Sequence, residues 1–470
     1  MLESLLCNEQ DSLLCVLRLI DNNGLGTAFV VDDLSRLCGV ITDGDLRRLV
    51  MDQCPLTDPV GKHLQKEYVY GRVGESYEQL ISRTTDMIRI YPLLDPGGRV
   101  VDFFEYQSRV HIPVTKPDLL LGNELKYLTD ALLSTWISSS GQYITRFESE
   151  FSRYCDAEFG VAMANGTLAL QLALASLNIG PGDEVIVPDL TFAATINTVL
   201  HAGAIPVIVD IEEESWCMSP EQFSSAITDR TRAVIPVHIF GQPCDMDPIM
   251  EIARQNNLYV IEDAAQAHGA KYKGQKVGSI GDIGCFSFFG NKVITTGEGG
   301  MCITNDSNLD DRLRLFRDHG MSKSKRYWHE VIGFNARITN LQAAIGCAQL
   351  ERIEVIHERR RKLEADYRCL FEPYDYLKFQ RNDLVGREKI TWLVCMLVTN
   401  GRRDEFVEKF QAEHVDLRPF FFPLSSQDLY AKYTFSNEVS QRIASQGVNV
   451  PTLPSLEVEL LAKQLENMGV

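Results

Sequence analysis

Lys292 closes an apolar run, Cys285-Phe-Ser-Phe-Phe289, after a small polar turn, Gly290-Asn291, and stands just before the glycine-rich stretch Gly297-Glu-Gly-Gly300. An amine held at the edge of a core, close to backbone free of side chains, suits imine formation with a carbonyl compound. Most lysines are solvated surface groups, so the position alone does not decide its role. Other polar groups fall where the pattern sets the ends of buried strands. Leu258-Tyr-Val-Ile261 runs into Glu262 and Asp263. Asp263 suits either the N-cap of a following helix or an ion pair that keeps a buried nitrogen protonated. Gln266, read as one helical turn further on, faces the same place. Asn165-Gly166-Thr167 precedes the apolar run Leu168–Ala175. Small and hydroxyl residues at a helix start suit a plain cap or an anion held on free N–H groups. Phe192 follows the strand Val185–Val187, where an aromatic either packs in the core or stacks on a flat ligand. A lysine, a carboxylate, a phosphate-type helix start and an aromatic make one coherent proposal: a pyridoxal phosphate site with Lys292 as the imine lysine.

Such a constellation needs a scaffold that brings strand ends together. From Glu184 to Thr304 the chain alternates helix-length segments with short apolar runs: 184–187, 206–210, 233–237, 258–261, 284–288 and 300–304. This predicts an α/β fold with a mostly parallel sheet covered on both faces, which binds ligands at the carboxyl ends of its strands. A long helical stretch, Leu341–Cys369, leads into a smaller mixed segment with a strand over Thr391–Val398. The expected domains are 1–112, 113–365 (large) and 366–470 (small, closing over the large one), with a proline-punctuated junction at His111–Pro117.

Residues 1–112 show a weak internal repeat. A helix over Asp11–Asp21 leads to strands Thr27–Asp32 and Leu37–Thr42, then to a helix from Asp43 that Asp45 can cap. A helix over Tyr77–Met87, a strand over Ile88–Leu94 and another over Val100–Phe104 repeat the order. The first half resembles a CBS motif through Gly39-Val-Ile-Thr42-Asp-Gly-Asp45, which implies an adenine nucleotide contacted by Thr42 and Asp45. The second half has Val101-Asp-Phe-Phe-Glu105 in that place, so a structural or dimerising CBS pair is the other reading.

The net charge of −18 argues against a nucleic-acid or membrane-surface binder. The twelve cysteines form no CxxC pair and no metal-type spacing, so no metal is expected and a reducing compartment is. Glu3 stands in a start without basic residues, and no apolar run approaches a membrane span, so the expected location is the cytoplasm.

From Ile112 to Leu456 the chain resembles the sugar aminotransferases of the DegT/DnrJ/EryC1/StrS family, which have the aspartate-aminotransferase-like fold. The resemblance lies in Lys116-Pro-Asp118, Gly122–Tyr127, Trp136–Gly141, Asn165-Gly-Thr167, Pro181–Pro188, Thr191-Phe192, Glu262–Gly269, Ser287–Lys292, Gly297–Gly300 and Gly333–Arg337. It implies that Lys292 bonds pyridoxal 5′-phosphate, that Asp263 partners its ring nitrogen and that Gln266 lies near its phenolic oxygen. It also implies that Phe192 covers the ring, that Gly166, Thr167 and Ser287 cup the phosphate, and that Asn335 reaches the phosphate of a neighbouring subunit in a homodimer. Relatives with His at the lysine position are dehydratases, so Lys292 implies amine transfer, with L-glutamate as donor and a nucleotide-linked keto sugar as acceptor. Gly290–Gly300, Lys325–His329 and Arg418–Leu424 look most like the enzymes that make GDP-perosamine, which implies C4 of GDP-4-keto-6-deoxymannose and a role in cell-surface polysaccharide synthesis. The alternatives are a UDP-4-keto-6-deoxy-HexNAc, a dTDP-keto sugar, or a CBS-regulated sensor with a vestigial enzyme body. Trp136, Ser138, His329 and Arg418 are candidates to meet the sugar or its diphosphate; interdomain packing is the alternative for His329 and Arg418. Ser425 and Ala336 depart from the family pattern and are expected to touch the sugar.

Overall fold

Continuous runs of Val, Ile and Leu become strands where helices can cover both faces, and that rule builds most of the chain. The computed structural model describes residues 2–64, 68–76, 79–80, 82–85, 88–106, 111–453 and 456. The chain divides into two compact units, Met1–Val110 and His111–Val470.

The first unit contains the same three-stranded pattern twice. Strand β1 (Leu6–Asn8) pairs parallel with β2 (Thr27–Val31), which pairs antiparallel with β3 (Leu37–Thr42). Likewise β4 (Gly71–Arg72) runs parallel to β5 (Ile90–Leu94), which runs antiparallel to β6 (Val100–Glu105). Both antiparallel pairs slip register near the end of the middle strand, at Val30/Val31 and at Leu93/Leu94. The halves join where Leu37 N–H donates to the Gly98 carbonyl (3.1 Å) and Val100 N–H to Ser35 (3.0 Å). Leu5, Phe29, Val31 and Val100 are buried together there. The expected first helix runs Leu13–Asn23. Of the helix read over Tyr77–Met87, Gln79 and Leu80 are helical and residues 82–85 are turn and coil; its other five positions lie outside the described residues. The second helix runs Asp43–Met51, but its N-cap is Thr42 rather than Asp45. Thr42 Oγ1 accepts the Asp45 N–H (3.2 Å), and Asp45 Oδ2 accepts the Thr42 N–H (2.9 Å) and hydroxyl (2.7 Å). This reciprocal capping box satisfies two helix-start donors at once.

In the second unit, β7 (Phe159–Met163), β8 (Glu184–Pro188), β9 (Ile205–Val209), β10 (Thr231–Val234), β11 (Tyr259–Asp263), β14 (Ile283–Ser287) and β15 (Gly300–Thr304) form one sheet, ordered β7-β15-β14-β11-β10-β8-β9. The five strands from β14 to β9 pair parallel, while β15 is antiparallel to both β14 and β7. Strand β7 is absent from the sequence-based expectation because Gly160 and Ala162 dilute its apolar pattern. Gly160 is required there: a Cβ would stand 2.7 Å from the Glu148 carbonyl. Between β11 and β14, β12 (Lys271–Tyr272) and β13 (Gln275–Lys276) form a hairpin that β17 (Arg387–Glu388) extends.

The expected long helix at 341–369 is two helices, Asn340–Leu350 and Ile353–Phe371. The break lets Arg352 turn to Glu124 (3.1 Å) and Asp118 (3.4 Å). A four-stranded antiparallel sheet follows, β16 (Leu377–Phe379), β18 (Val394–Val398), β20 (Gly447–Val450) and β19 (Arg418–Pro419) in spatial order. Its core includes Leu363, Tyr367, Phe371, Met396 and Phe410, and also Ile112. Ile112 donates to the His414 carbonyl (2.9 Å) and accepts from Asp416 N–H (2.8 Å). Among the described residues no helix is long and apolar enough to cross a membrane.

The end of β11 carries two buried carboxylates on opposite faces, as strand alternation requires. Glu262 accepts the N–H groups of Gly278 (2.7 Å), Ile280 (2.7 Å) and Gly281 (2.6 Å) and sits 3.0 Å from His238 Nε2. It pins the loop that feeds β14. Glu262→Ala leaves those donors unpaired in the core and is expected to destabilise the protein by about 3–5 kcal/mol, read from the urea midpoint.

Candidate active site

The carboxyl ends of β8, β11 and β14 meet the start of the helix Gly166–Ser176. Asn165 caps that helix by accepting the Leu168 N–H (2.9 Å). The N–H groups of Gly166 and Thr167 belong to the first turn and have no intrahelical partner. The helix start lies directly against β14: a Cβ on Gly166 would be 2.7 Å from Ser287 Cβ. A Cβ on Gly300 would collide with the Asn165 carbonyl. The glycines let backbone and the Ser287 hydroxyl share one small cradle, and Gly166, Thr167 and Ser287 are brought together as expected. An anion fits this cradle on N–H groups and a helix dipole.

Asp263 lies across from it, buried at the end of β11. Its Oδ2 accepts the Thr195 hydroxyl (2.9 Å), and its Oδ1 accepts the Ala265 N–H (3.2 Å). Burial raises its pKa, against the lowering effect of those two hydrogen bonds and of the charges on Lys292 and His238. No helix follows Asp263; residues 264–270 run as turns. The N-cap alternative therefore falls, and so does the placing of Gln266 one helical turn on. Gln266 is buried and accepts the Phe240 N–H (2.7 Å) through Oε1. Phe240 needs that support because its φ is +53°, an uncommon value for a bulky residue.

Lys292 sits in the turn after β14, its N–H donating to the Phe289 carbonyl (2.9 Å). Its Nζ lies 4.3 Å from the centre of the Trp392 ring. Burial lowers its pKa to about 8; the Asp263 charge pulls it up and the Arg418 charge pushes it down. Arg418 is thus brought within the field of Lys292, on β19 of the smaller sheet. Phe192 is 57% exposed and tilts against Phe421, 5.9 Å between ring centres. It stays attached to the cluster because Thr195, the partner of Asp263, donates its N–H to the Phe192 carbonyl (3.2 Å).

The remaining candidates are exposed. Trp136 and Ser138 are exposed, and their carbonyls accept the Asn340 side-chain (2.7 Å) and backbone (2.6 Å) N–H groups. His329 is exposed, its Nδ1 2.9 Å from the His319 carbonyl, and Asn335 is exposed in a bridge with Asp318. No hydrogen bond among the described residues joins these four to the Lys292 cluster. Ser425 and Ala336 do not offer side chains to a ligand. Ser425 is buried and donates its N–H and hydroxyl to Asp189 (2.7 Å each), while Ala336 is wholly inside the core. Thr195, Phe240 and Trp392 were missed from the sequence. Thr195 lies four residues from Thr191, 2.9 Å hydroxyl to hydroxyl, but Thr191 stands in the bend before the helix Ala194–His201, so no helix periodicity signalled the pair.

Residues 120–467 match the model of the DegT/DnrJ/EryC1/StrS aminotransferase family. The chain belongs to that family. Residues 3–52 match the CBS domain. The aminotransferase is 42% identical over 350 residues to a GDP-perosamine synthase of Escherichia coli O157:H7, covering 74% of this chain and 95% of the relative. It is 44% identical over 336 residues to a GDP-perosamine synthase of Caulobacter vibrioides, covering 70% and 90%. The crystal structure of an aminotransferase from Psychrobacter cryohalolentis superposes with a TM-score of 0.69 at 34% identity, over 75% of this chain and 96% of that one.

The electrostatics of Lys292 are directly measurable. In protein stripped of cofactor, the rate of amine labelling at Lys292 should rise with pH around a midpoint near 8, not near the ordinary lysine value. Asp263→Asn removes the charge that raises this value, so its midpoint should fall below that of the parent. Competitive acetylation with peptide mass spectrometry reads both.

Proposed function

We propose that this aminotransferase moves the amino group of L-glutamate to C4 of GDP-4-keto-6-deoxymannose, and that the product feeds cell-surface polysaccharide synthesis. The observation that carries the chemistry is the cluster of Lys292, Asp263 and the Gly166–Thr167–Ser287 cradle at the ends of β11 and β14. The acceptor rests on the likeness to the two GDP-perosamine synthases.

The cofactor is pyridoxal 5′-phosphate, and the cluster has groups suited to its phosphate, its ring nitrogen and its aldehyde. When bound it supplies an electron-withdrawing ring that makes the donor's α-carbon acidic. The chain's residues do the rest. The helix-start N–H groups of Gly166 and Thr167, with the Ser287 hydroxyl, would hold the phosphate dianion. Asp263, oriented by Thr195 and Ala265, would keep a proton on the ring nitrogen, since a carboxylate beside a cationic nitrogen favours its protonated form. Phe192 would cover the ring face. Lys292, with a pKa near 8, is poised to take a proton from the donor's α-carbon and return it two atoms away, across the nitrogen. Arg418 offers a guanidinium at the same place for a carboxylate or diphosphate.

Lys292→Ala should lower kcat by about 10³-fold or more and abolish the visible absorbance of a lysine-bound cofactor. The acceptor is tested by offering glutamate with GDP-, UDP- and dTDP-linked keto sugars and weighing the aminated products. GDP-4-keto-6-deoxymannose is the expected substrate; turnover confined to UDP or dTDP sugars overturns this choice.

Asn335 supports a homodimer in which each subunit completes its partner's phosphate site. Lys292→Ala and Asn335→Ala would then complement: random mixed dimers should recover about a quarter of the parent activity while each variant alone is weak. For the first unit we infer a structural role. Thr42 and Asp45 bond each other across the helix start, and Arg48 holds Asp45 (2.6 Å).

A further inference from the structure

We propose that Trp392 is a positioning residue for Lys292, its indole face being the seat of the lysine amine whenever that amine is not bonded to the cofactor. This rests on the role given to Lys292 above. The amine lies 4.3 Å from the ring centre, within the roughly 6 Å reach of a cation–π contact.

The ring is itself fixed on several sides. Its Nε1–H donates to the carbonyl of Asn291 (2.7 Å), the residue next to Lys292, so ring and lysine turn are tied together. Phe240 stacks on it at 6.2 Å with an 18° interplanar angle, and Gln266 holds Phe240 in place. The Trp392 carbonyl accepts from Arg360 Nη1 (2.6 Å). Arg360 is the unexpected member. It is wholly buried, and no carboxylate among the described residues lies within ion-pair distance of it. Its Nε has no acceptor, and burial lowers its pKa to about 10, with only a distant pull from Asp118. A guanidinium kept in a core without an ion pair is costly. Its hydrogen bond to the Trp392 backbone is what that cost secures.

A π face is a useful seat because it holds an ammonium without being an anion. The charged groups in the field of Lys292 are Asp263 and Arg418, with Arg360 behind the tryptophan and neutral His268 nearby. An unseated ammonium would be drawn onto Asp263, and a salt bridge there would compete with the proton that Asp263 must hold on the ring nitrogen. Over Trp392 the amine stays charged when idle, and the seat lets go once the amine loses its proton, since the neutral form has no cation–π attraction.

The test uses the full chain stripped of cofactor, with Trp392→Phe and Trp392→Leu. Titrating Lys292 by competitive labelling should show the midpoint down by about half a unit to one unit in Trp392→Leu and by less in Trp392→Phe. In holoenzyme, kcat of the glutamate half-reaction should drop about tenfold with KM changed less than about twofold. An unchanged midpoint in folded Trp392→Leu, or an effect on KM alone, overturns the proposal. Should Trp392→Leu not fold, Trp392→Phe decides, and a midpoint equal to the parent's overturns it. Failure of the parent to take up pyridoxal phosphate would defeat the cofactor reading while leaving the titration meaningful.

Discussion

Two adjacent carboxylates at the end of one buried strand have to be satisfied without water, and the surrounding structure is arranged around how that is done. Strand geometry sends Glu262 and Asp263 to opposite faces. Glu262 is saturated by loop N–H groups and His238, so it fixes where β14 begins. Among the described residues, the Asp263 carboxylate receives two hydrogen bonds. Its charge is felt by Lys292, which stands in the turn after β14. A fully satisfied acid sets position, and its less satisfied neighbour keeps charge that acts on Lys292, on consecutive residues.

The aromatic side chains form a second layer of order. Phe192, Phe421, Phe240 and Trp392 make a row of rings about 6 Å apart, drawn alternately from the large sheet's loops and from the smaller sheet's segment. Offset and tilted pairs of this kind are worth roughly 0.5–1.5 kcal/mol each beyond their buried area. They join the loops of the large sheet to the segment of the smaller sheet beside Lys292.

Much of this was legible in the sequence where burial acts on contiguous residues. Strand β15 matches its expected span residue for residue, and β8 and β14 within one, because parallel strands covered on both faces read as unbroken apolar runs. Lys292 and Asp263 stood near the ends of such runs and could be found by that rule, Gly166 stood at the start of an apolar helix, and Ser287 came only from the family resemblance. Strands β1 and β4 are too short to leave a periodic signal. Gln266 was misplaced because Ala264–Ala270 reads as helix by propensity, whereas the chain turns there to keep Glu262 and His268 buried. Trp392 owes its placement to a contact with Lys292 across 100 residues, and Phe240 to one with Trp392, neither of which a local pattern encodes. Ser425 shows the reverse error: a departure from a family motif reads as a change of ligand contact, yet here it builds an internal bond to Asp189.

The distance along the chain between Lys292 and its companions Trp392 and Arg418 also bears on how the protein is made. A chain emerging from the ribosome presents Lys292, Asp263 and the phosphate cradle long before the segments that carry Trp392 and Arg418 exist. Contacts so far apart in sequence close late. The amine of Lys292 therefore gains its full surroundings only after the segments carrying Trp392 and Arg418 have been made and folded.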